Sequence, residues 1–316
     1  LEESRFRVSL DSGPLFKPTH VRMEGDDPIA VAVLIDATRP KRDLLPPAAD
    51  AVAALAEGLH SDDRVSVYAM DCALIREVRA VSPDAAKLRA AVARALQPWR
   101  DRGGSKQKEK DACKPALPLW DSMLFVTREL YRERGRRVMI VVSDGEDAGS
   151  QTKWNAVLLA AQESSTAVFG VLTEFDLGIG PAVGRMGQNA MIGGSPVGLV
   201  KIPARPGFED PFNAICELSG GVEISAGKKD LGVQFQRAMQ MVRSRYIVEY
   251  PRGNNDKPGV HTINVRIAKM DAYIRPAGLT VPVADQKVLA DPTTLPTDQS
   301  GAPVFGTRKP LGPPSN

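Results

Sequence analysis

Two carboxylates stand where an α/β protein places its chemistry. Asp36 follows directly on the apolar run Ile29-Ala-Val-Ala-Val-Leu-Ile35, and Asp144 follows Val138 to Val142 with one serine between. In open α/β sheets ligands bind outside the carboxyl ends of the strands, where strand order reverses, so the two acids can project into one crevice. Thr38 and Asp147 are their neighbours in sequence. Like charges held close together raise a pKa or recruit a counter-charge, and Arg39, Arg76 and Lys114 are the cations placed to provide one.

Other chemistries lack their residues. A phosphotransfer enzyme that uses an aspartate after its first strand needs a second Asp two residues on as acid/base, and position 38 is Thr. A dinucleotide site needs its glycines directly after that strand, but Asp36 to Pro40 contains none. The run Gly178-Ile-Gly180-Pro-Ala-Val-Gly184 lies instead in a long loop and reads as a turn. There is no Gly-x-Ser-x-Gly elbow for a Ser-His-Asp triad. Cys72, Cys113 and Cys216 form no CxxC pair, and His20, His60 and His261 lie far apart, which excludes Cys/His zinc spacing.

The elements that must hold these residues alternate between short apolar runs and stretches of helical period, the pattern of an α/β fold with a mostly parallel sheet. Ile29 to Ile35 is apolar throughout, as a strand covered on both faces should be. Helices are expected over Pro47 to Leu59, from the start Ser82-Pro83-Asp84, over Leu119 to Arg134 with Met123, Thr127, Leu130 and Tyr131 inward, and over Thr152 to Ser164. Strands are expected at Arg64 to Met70, Ala73 to Val78, Arg137 to Ser143 and Thr166 to Leu172. Glu174 to Glu209 is a long Gly- and Pro-rich loop, after which Asp210-Pro211 opens a helix that Gly220 and Gly221 close. Leu231, Phe235, Met239 and Val242 mark a last helix.

Beyond it the period becomes two. Arg245 to Tyr250 and His261 to Ala268 read as strands joined by a turn-rich segment, with Ala272 to Arg275 as a third. Alternating pieces between Arg5 and Met23 can join this β appendage and bring the two ends of the chain together. The expected organisation is therefore an N-terminal segment over 1–28, a core domain over 29–245, appendage strands over 246–284, and a Pro-rich tail over 285–316.

Taken in order, Asp36-Ala37-Thr38, Asp63-Arg64-Val65, Leu119-Trp120-Asp121, Ser143-Asp144-Gly145-Glu146-Asp147 and Arg243-Ser244-Arg245-Tyr246 resemble the von Willebrand factor type A (vWA) domain, and among its members the vWA-related proteins common in Acidobacteria. The resemblance implies a Rossmann-like vWA fold bracketed by a short β module, and a metal-ion-dependent adhesion site of the pattern DxSxS, a Thr from a later loop, and an Asp after the fourth strand. Carried over, the metal ligands are Asp36, Thr38 and Asp144. Pro40 and Leu117 stand where the pattern has hydroxyl residues. Magnesium seeks near-octahedral oxygen coordination, so three ligands would hold it weakly, and the expectation is a degenerate, metal-free site without a cofactor.

The resemblance also implies a non-catalytic module that binds a protein through a rim bearing Asp36, Thr38, Arg39, Asp121, Asp144 and Asp147. Metal-dependent adhesion through Mg²⁺, an Asp36-dependent hydrolase or phosphotransfer enzyme, and a structural cell-envelope component are the other readings. A bridge between Cys72 and Cys113 is sterically conceivable and would imply an oxidising compartment, in keeping with an exported protein whose signal peptide is not part of this chain. Cys216, among Phe212, Ile215 and Leu218, reads as a small buried hydrophobe.

Composition sets the outer limits. The 316 residues hold 41 Lys+Arg against 38 Asp+Glu, a net charge of +3 that is too small for a nucleic-acid footprint. A hydrophobic share of 43% beside 25% charged residues excludes disorder throughout. No apolar run approaches the roughly 20 residues of a membrane span.

Overall fold

A computed structural model of the chain describes residues 1–10, 13–23, 25, 27–38, 45–103, 118–147, 149–173, 190–192, 195–197, 210–250 and 263–268. The strands β1 (Phe6–Leu10) and β2 (His20–Met23) precede the core. The core then runs β3 (Ile29–Asp36), α1 (Leu45–Glu57), β4 (Arg64–Met70), β5 (Leu74–Val81), α2 (Ala85–Ala95), α3 (Gln97–Asp101), α4 (Leu119–Leu130) and β6 (Arg136–Val142). It continues with α5 (Trp154–Glu163), β7 (Thr166–Thr173), a small ribbon of β8 (Ala190–Ile192) and β9 (Ser195–Val197), α6 (Pro211–Leu218), β10 (Val222–Ala226) and α7 (Leu231–Arg243). The strands β11 (Tyr246–Glu249) and β12 (Ile263–Ile267) follow.

Six strands form one sheet in the order β10-β7-β6-β3-β4-β5, all parallel except the edge strand β5. This is the mostly parallel, helix-flanked sheet of a Rossmann-like vWA fold. Alternation along β3 divides the interior in two. Ile29, Val31, Val33 and Ile35 face a core shared with Val52 and Leu55 of α1, Leu88 and Val92 of α2, and Phe235 and Met239 of α7. Ala30, Ala32 and Leu34 face the other, built with Met123 and Val126 of α4, Val157 of α5, and Phe212 and Ile215 of α6. All eight residues of β3 are buried, including the terminal aspartate.

The helix boundaries follow local chemistry. Ser82 lies ahead of α2, but its cap is Asp84, whose carboxylate accepts the Lys87 N–H at 2.9 Å. Helix α4 stops at Leu130, short of the expected Arg134, and Tyr131 is 38% exposed rather than inward. Its ring lies under the Arg137 guanidinium instead. After α6 the Gly221 N–H reaches back to the Cys216 carbonyl and the Gly220 N–H to that of Glu217, with Gly220 at φ +89°. At Gly170 the close approach of α6 excludes any side chain, since a Cβ would lie 2.5 Å from the Phe212 ring and 2.9 Å from the Cys216 sulfur. Cys216 is a fully buried thiol.

The two terminal strands do not pair with each other. β11 pairs antiparallel with β2, His20 opposite Glu249, while β12 pairs with β1, Phe6 opposite Ile267. The reason lies at the amino edge of the core. The Arg243 guanidinium at the end of α7 donates to the carbonyl of Gly25 at 2.9 Å and to the carboxylate of Asp63 at 2.5 Å, and the Gly25 N–H returns to the Arg243 carbonyl. The strand entering the core and the strand leaving it are thus held side by side, which places β11 against β2. Phe6 and Tyr246, with ring centroids 5.4 Å apart, join the two ribbons. The expected strand over Ala272 to Arg275 and the tail over 285–316 lie outside the described residues.

Asp63 is fully buried at the start of β4. It also accepts the N–H groups of Ile29 and His60, both at 2.7 Å. Removing one side of a buried ion pair leaves the other uncompensated, so Asp63→Ala should lower the unfolding free energy by about 3–5 kcal/mol in urea titration. Glu163, the last residue of α5, has a carboxyl pushed up to about 7 by burial. An acid so raised binds more protons folded than unfolded. Stability therefore falls as pH rises from the ordinary carboxylate range to about 7 and stays low above it. Glu163→Gln should accordingly gain about 1 kcal/mol over the wild type at pH 8, a figure reduced for partial exposure to water, and nothing at pH 4. Thermal unfolding at the two pH values measures the difference.

Candidate functional site

At the carboxyl edge of the sheet β3 ends in a buried charge. Asp36 is 3% exposed, and the Ala37 N–H beyond it donates to the Met70 carbonyl at the end of β4. Burial of a carboxylate is tolerable only when its oxygens are satisfied. Oδ1 accepts the Thr38 N–H at 3.0 Å and the Thr38 hydroxyl at 2.6 Å, and Oδ2 accepts the Ser143 hydroxyl at 2.9 Å. Ser143 is in reach because β3 and β6 are adjacent with Ile35 opposite Val142, so the residues that follow each strand meet across the edge. Asp144, half-buried and next in line, accepts the Glu146 N–H at 3.1 Å through Oδ1.

The structure thus brings Asp36, Thr38 and Ser143 into direct contact and sets Asp144 on the same rim. Ser143 has no role in the sequence pattern beyond its place ahead of Asp144. Its place one residue before Asp144, at the end of the strand beside β3, is the signal that gives it one.

Asp121 and Asp147 do a different job. Asp147 lies over the N-terminus of α4, where Oδ1 accepts the N–H of Leu119 at 2.9 Å and of Trp120 at 3.3 Å, and Oδ2 accepts those of Gly149 and Ser150. In return Asp121, on the first turn of α4, accepts the N–H groups of Gln151 and Thr152. Ser150, which no sequence pattern marked, completes the clasp: its hydroxyl donates to Asp147 at 2.5 Å and accepts the N–H groups of Trp120 and Asp121. The β6–α5 loop is therefore tied to α4 by two carboxylates and a hydroxyl, spent on backbone donors and on one another. Burial alone would raise the Asp147 carboxyl, but the Ser150 hydroxyl and the N–H groups of Ser150, Trp120 and Gly149 outweigh it and hold the group below the usual carboxylate range.

Beside the rim, Asp71 is buried and paired with Arg102 at the end of α3, and Cys72 is disulfide-bonded. Arg39, Cys113, Lys114 and the residues at positions 40 and 117 lie outside the described residues. Arg76 is directed elsewhere, to Glu129 of α4 at 2.8 Å. Glu129 also binds Arg132 and lies near Tyr68, whose hydroxyl is pushed up to about 12, first by burial and then by the Glu129 charge.

A divalent cation tests this donor set and finds it short. Magnesium demands six oxygens near octahedral geometry. Both oxygens of Asp36 already accept hydrogen bonds, the Thr38 hydroxyl proton is turned to Asp36, and the sequence carries Pro40 and Leu117 where two further hydroxyls would be needed. Among the described residues no group of three or more His, Cys, Asp or Glu gathers as a metal site. The described residues alone do not fit the ion.

The order and direction of the strands, with helices on both faces, make this a vWA-like α/β fold. No protein-family model matches the chain, and no curated protein does. Among solved structures it is similar to an aerotolerance-related membrane protein from Bacteroides fragilis, with 15% identity, 69% of this chain and 100% of that one covered, and a TM-score of 0.42. It is also similar to the protein BatB from Bacteroides thetaiotaomicron, at 14% identity over 69% of this chain and 99% of that one, TM-score 0.42. A von Willebrand factor type A protein from Catenulispora acidiphila shares 9% identity over 75% of this chain and 50% of its own, TM-score 0.46. No residue role is carried across at such identities. Among the described residues no helix is long and apolar enough to cross a membrane.

Asp147→Ala should remove the cap of α4 and release the loop, at a cost of about 1–2 kcal/mol at pH 7. A carboxyl held low stabilises above its unfolded value, and the contribution is lost as pH falls through the folded one. The gap between wild type and variant should therefore persist through pH 5 and close only below the ordinary carboxylate range, as read by chemical unfolding at a series of pH values.

Proposed function

We propose that this is a non-enzymatic, protein-binding vWA-like module that works outside the cytoplasm and recognises its partner at the carboxyl edge of the sheet without a metal. The observation that carries the reading is the internal satisfaction of Asp36. A carboxylate whose oxygens accept from Thr38 and Ser143 is poorly placed to grip a cation or to attack a substrate, so what the rim offers is shape and fixed charge. The clasp of Asp147, Ser150 and Asp121 supports this, since it sets the loop bearing Asp144 and Glu146 before any partner arrives. The disulfide at Cys72 favours an oxidising compartment.

Calorimetric titration with Mg²⁺ and Mn²⁺ at millimolar concentration should give no saturable heat. A saturable heat that Thr38→Ala abolishes would establish metal-dependent adhesion instead. Phosphatase assays should show no turnover, and turnover lost in Asp36→Asn would make the protein an enzyme. A photo-crosslinking residue at Glu146 should capture a protein in the native host's envelope fraction, whereas one at Val233, exposed on α7, should not.

A further inference from the structure

β5 ends the sheet on one side, and its pairing with β4 is irregular in a way that gathers charge. Arg76 stands opposite Tyr68, Val78 opposite Val67 and Val81 opposite Val65, so β5 takes two steps where β4 takes one, and then three where β4 takes two. Side chains of a regular strand alternate, and residues three apart point to opposite faces. The first extra residue reverses that phase: Val78 packs on the core of α1 and α2, and Arg79 joins Arg76 on the side of α4. The second restores it for Val81, through Ala80 at φ +48°, where a side chain is disfavoured and the N–H is held by the buried Ser66 hydroxyl at 2.9 Å.

Both arginines meet Glu129 of α4, whose side chain is only 8% exposed. Arg76 lies 2.8 Å from its Oε2 and Arg79 3.6 Å from the same oxygen, while Arg132, just past the end of α4, lies 2.5 Å from Oε1. Arg79 also reaches Glu133 at 3.3 Å. Arg76 and Arg132 already contact both oxygens of the buried acid, so its burial does not require Arg79. Three guanidiniums against two carboxylates leave one positive charge over. The three arginines are 40–55% exposed, and each carries more N–H donors than these contacts use.

We infer that this flank of β5 and α4 binds an acidic segment of a protein partner, one carboxylate of which accepts hydrogen bonds from Arg76, Arg79 and Arg132. Charge complementarity selects the occupant. A single carboxylate neutralises the cluster, whereas a phosphate group, at nearly two negative charges, would overshoot it. Guanidinium forks match carboxylate geometry, and Glu129 holds them from behind so that less freedom is lost on binding. The bulges twist the edge away from strand addition, so the contact is made by side chains rather than by an added strand. The site is separate from the rim and does not depend on what the rim binds.

The probes are two labelled Gly/Ser peptides that differ at three central positions, Glu in one and Gln in the other, titrated with the full chain by fluorescence anisotropy. The Glu peptide should bind about tenfold more tightly, and added salt should reduce the difference. Arg79→Gln should erase the preference while keeping the wild-type circular dichroism and thermal midpoint, because Glu129 retains Arg76 and Arg132. Arg94→Gln, which removes the partner of Glu77 on the opposite face of β5, should leave the preference intact. Equal binding of the two peptides, a preference that survives in Arg79→Gln, or an equal loss in Arg94→Gln overturns the inference. So does displacement of the Glu peptide by inorganic phosphate at concentrations where acetate has no effect, which would make a phosphate group the occupant.

Discussion

A charge buried at the end of the central strand imposes most of what surrounds it. β3 is enclosed by helices on both faces, so whatever residue ends it is enclosed as well, and here that residue is an aspartate. A carboxylate in that position must have donors. It obtains them from a hydroxyl two residues on and from the strand next door, and this fixes how the loops after β3 and β6 leave the sheet. The rim is thus a consequence of satisfying Asp36, and its contour is set by hydrogen bonds internal to the module.

The two edges of the sheet solve opposite problems. In a parallel α/β unit the helices following the strands begin at the carboxyl edge and end at the amino edge, so unpaired N–H groups collect at one pole and unpaired carbonyls at the other. Asp147 answers the first on α4 and Asp210 on α6, where its carboxylate accepts from Phe212 and Asn213. Arginines answer the second. Arg137 donates to the carbonyls of Leu130 and Ser164 at the ends of α4 and α5, and Arg245 donates to that of Gly220 after α6. Burial draws the Arg137 guanidinium below its usual range. The acidic rim and the basic base of the module follow from one polarity of the backbone, and the Asp63–Arg243 pair uses the basic end to anchor the appendage.

Much of this was legible in the chain. The continuous apolar run of β3 announced a strand buried on both faces, and the spacing of Leu231, Phe235, Met239 and Val242 announced the inner face of α7, because periodicity is a local property. Pairings between distant segments left a fainter trace: the alternating pieces between Arg5 and Met23 pointed to a meeting of the two ends, and β1 and β2 do pair with β12 and β11, but which strand takes which was not visible. Asp63 and Arg243 were visible as parts of a pattern, but 180 positions separate them and neither residue type alone says that they meet. The joining of β11 to β2 rather than to β12 lies beside that contact and was hidden in the same way. Asp84 displaced Ser82 as the cap of α2, and Tyr131 turned outward, because α2 begins two residues later and α4 ends four residues earlier than propensity alone would place the boundary. Ser150 carried no signal, since its role lies in donors from a helix thirty residues earlier in the chain.

The balance between the two acidic features of the module is instructive. Asp36 is buried and Glu163 half-buried, but the first accepts from Thr38 and Ser143 whereas the second has a buried oxygen without a donor among the described residues. A satisfied acid contributes order: it holds loops in place and is indifferent to what approaches. An unsatisfied one costs stability. On the proposed reading the rim meets its partner as a prearranged surface with little ordering entropy left to lose, whereas the unsatisfied oxygen of Glu163 is a local cost to the fold. A single fold accommodates both because its cores are filled by the sheet and the inward faces of the helices, which leaves the outer helix faces free to vary without disturbing the edge where the strands end.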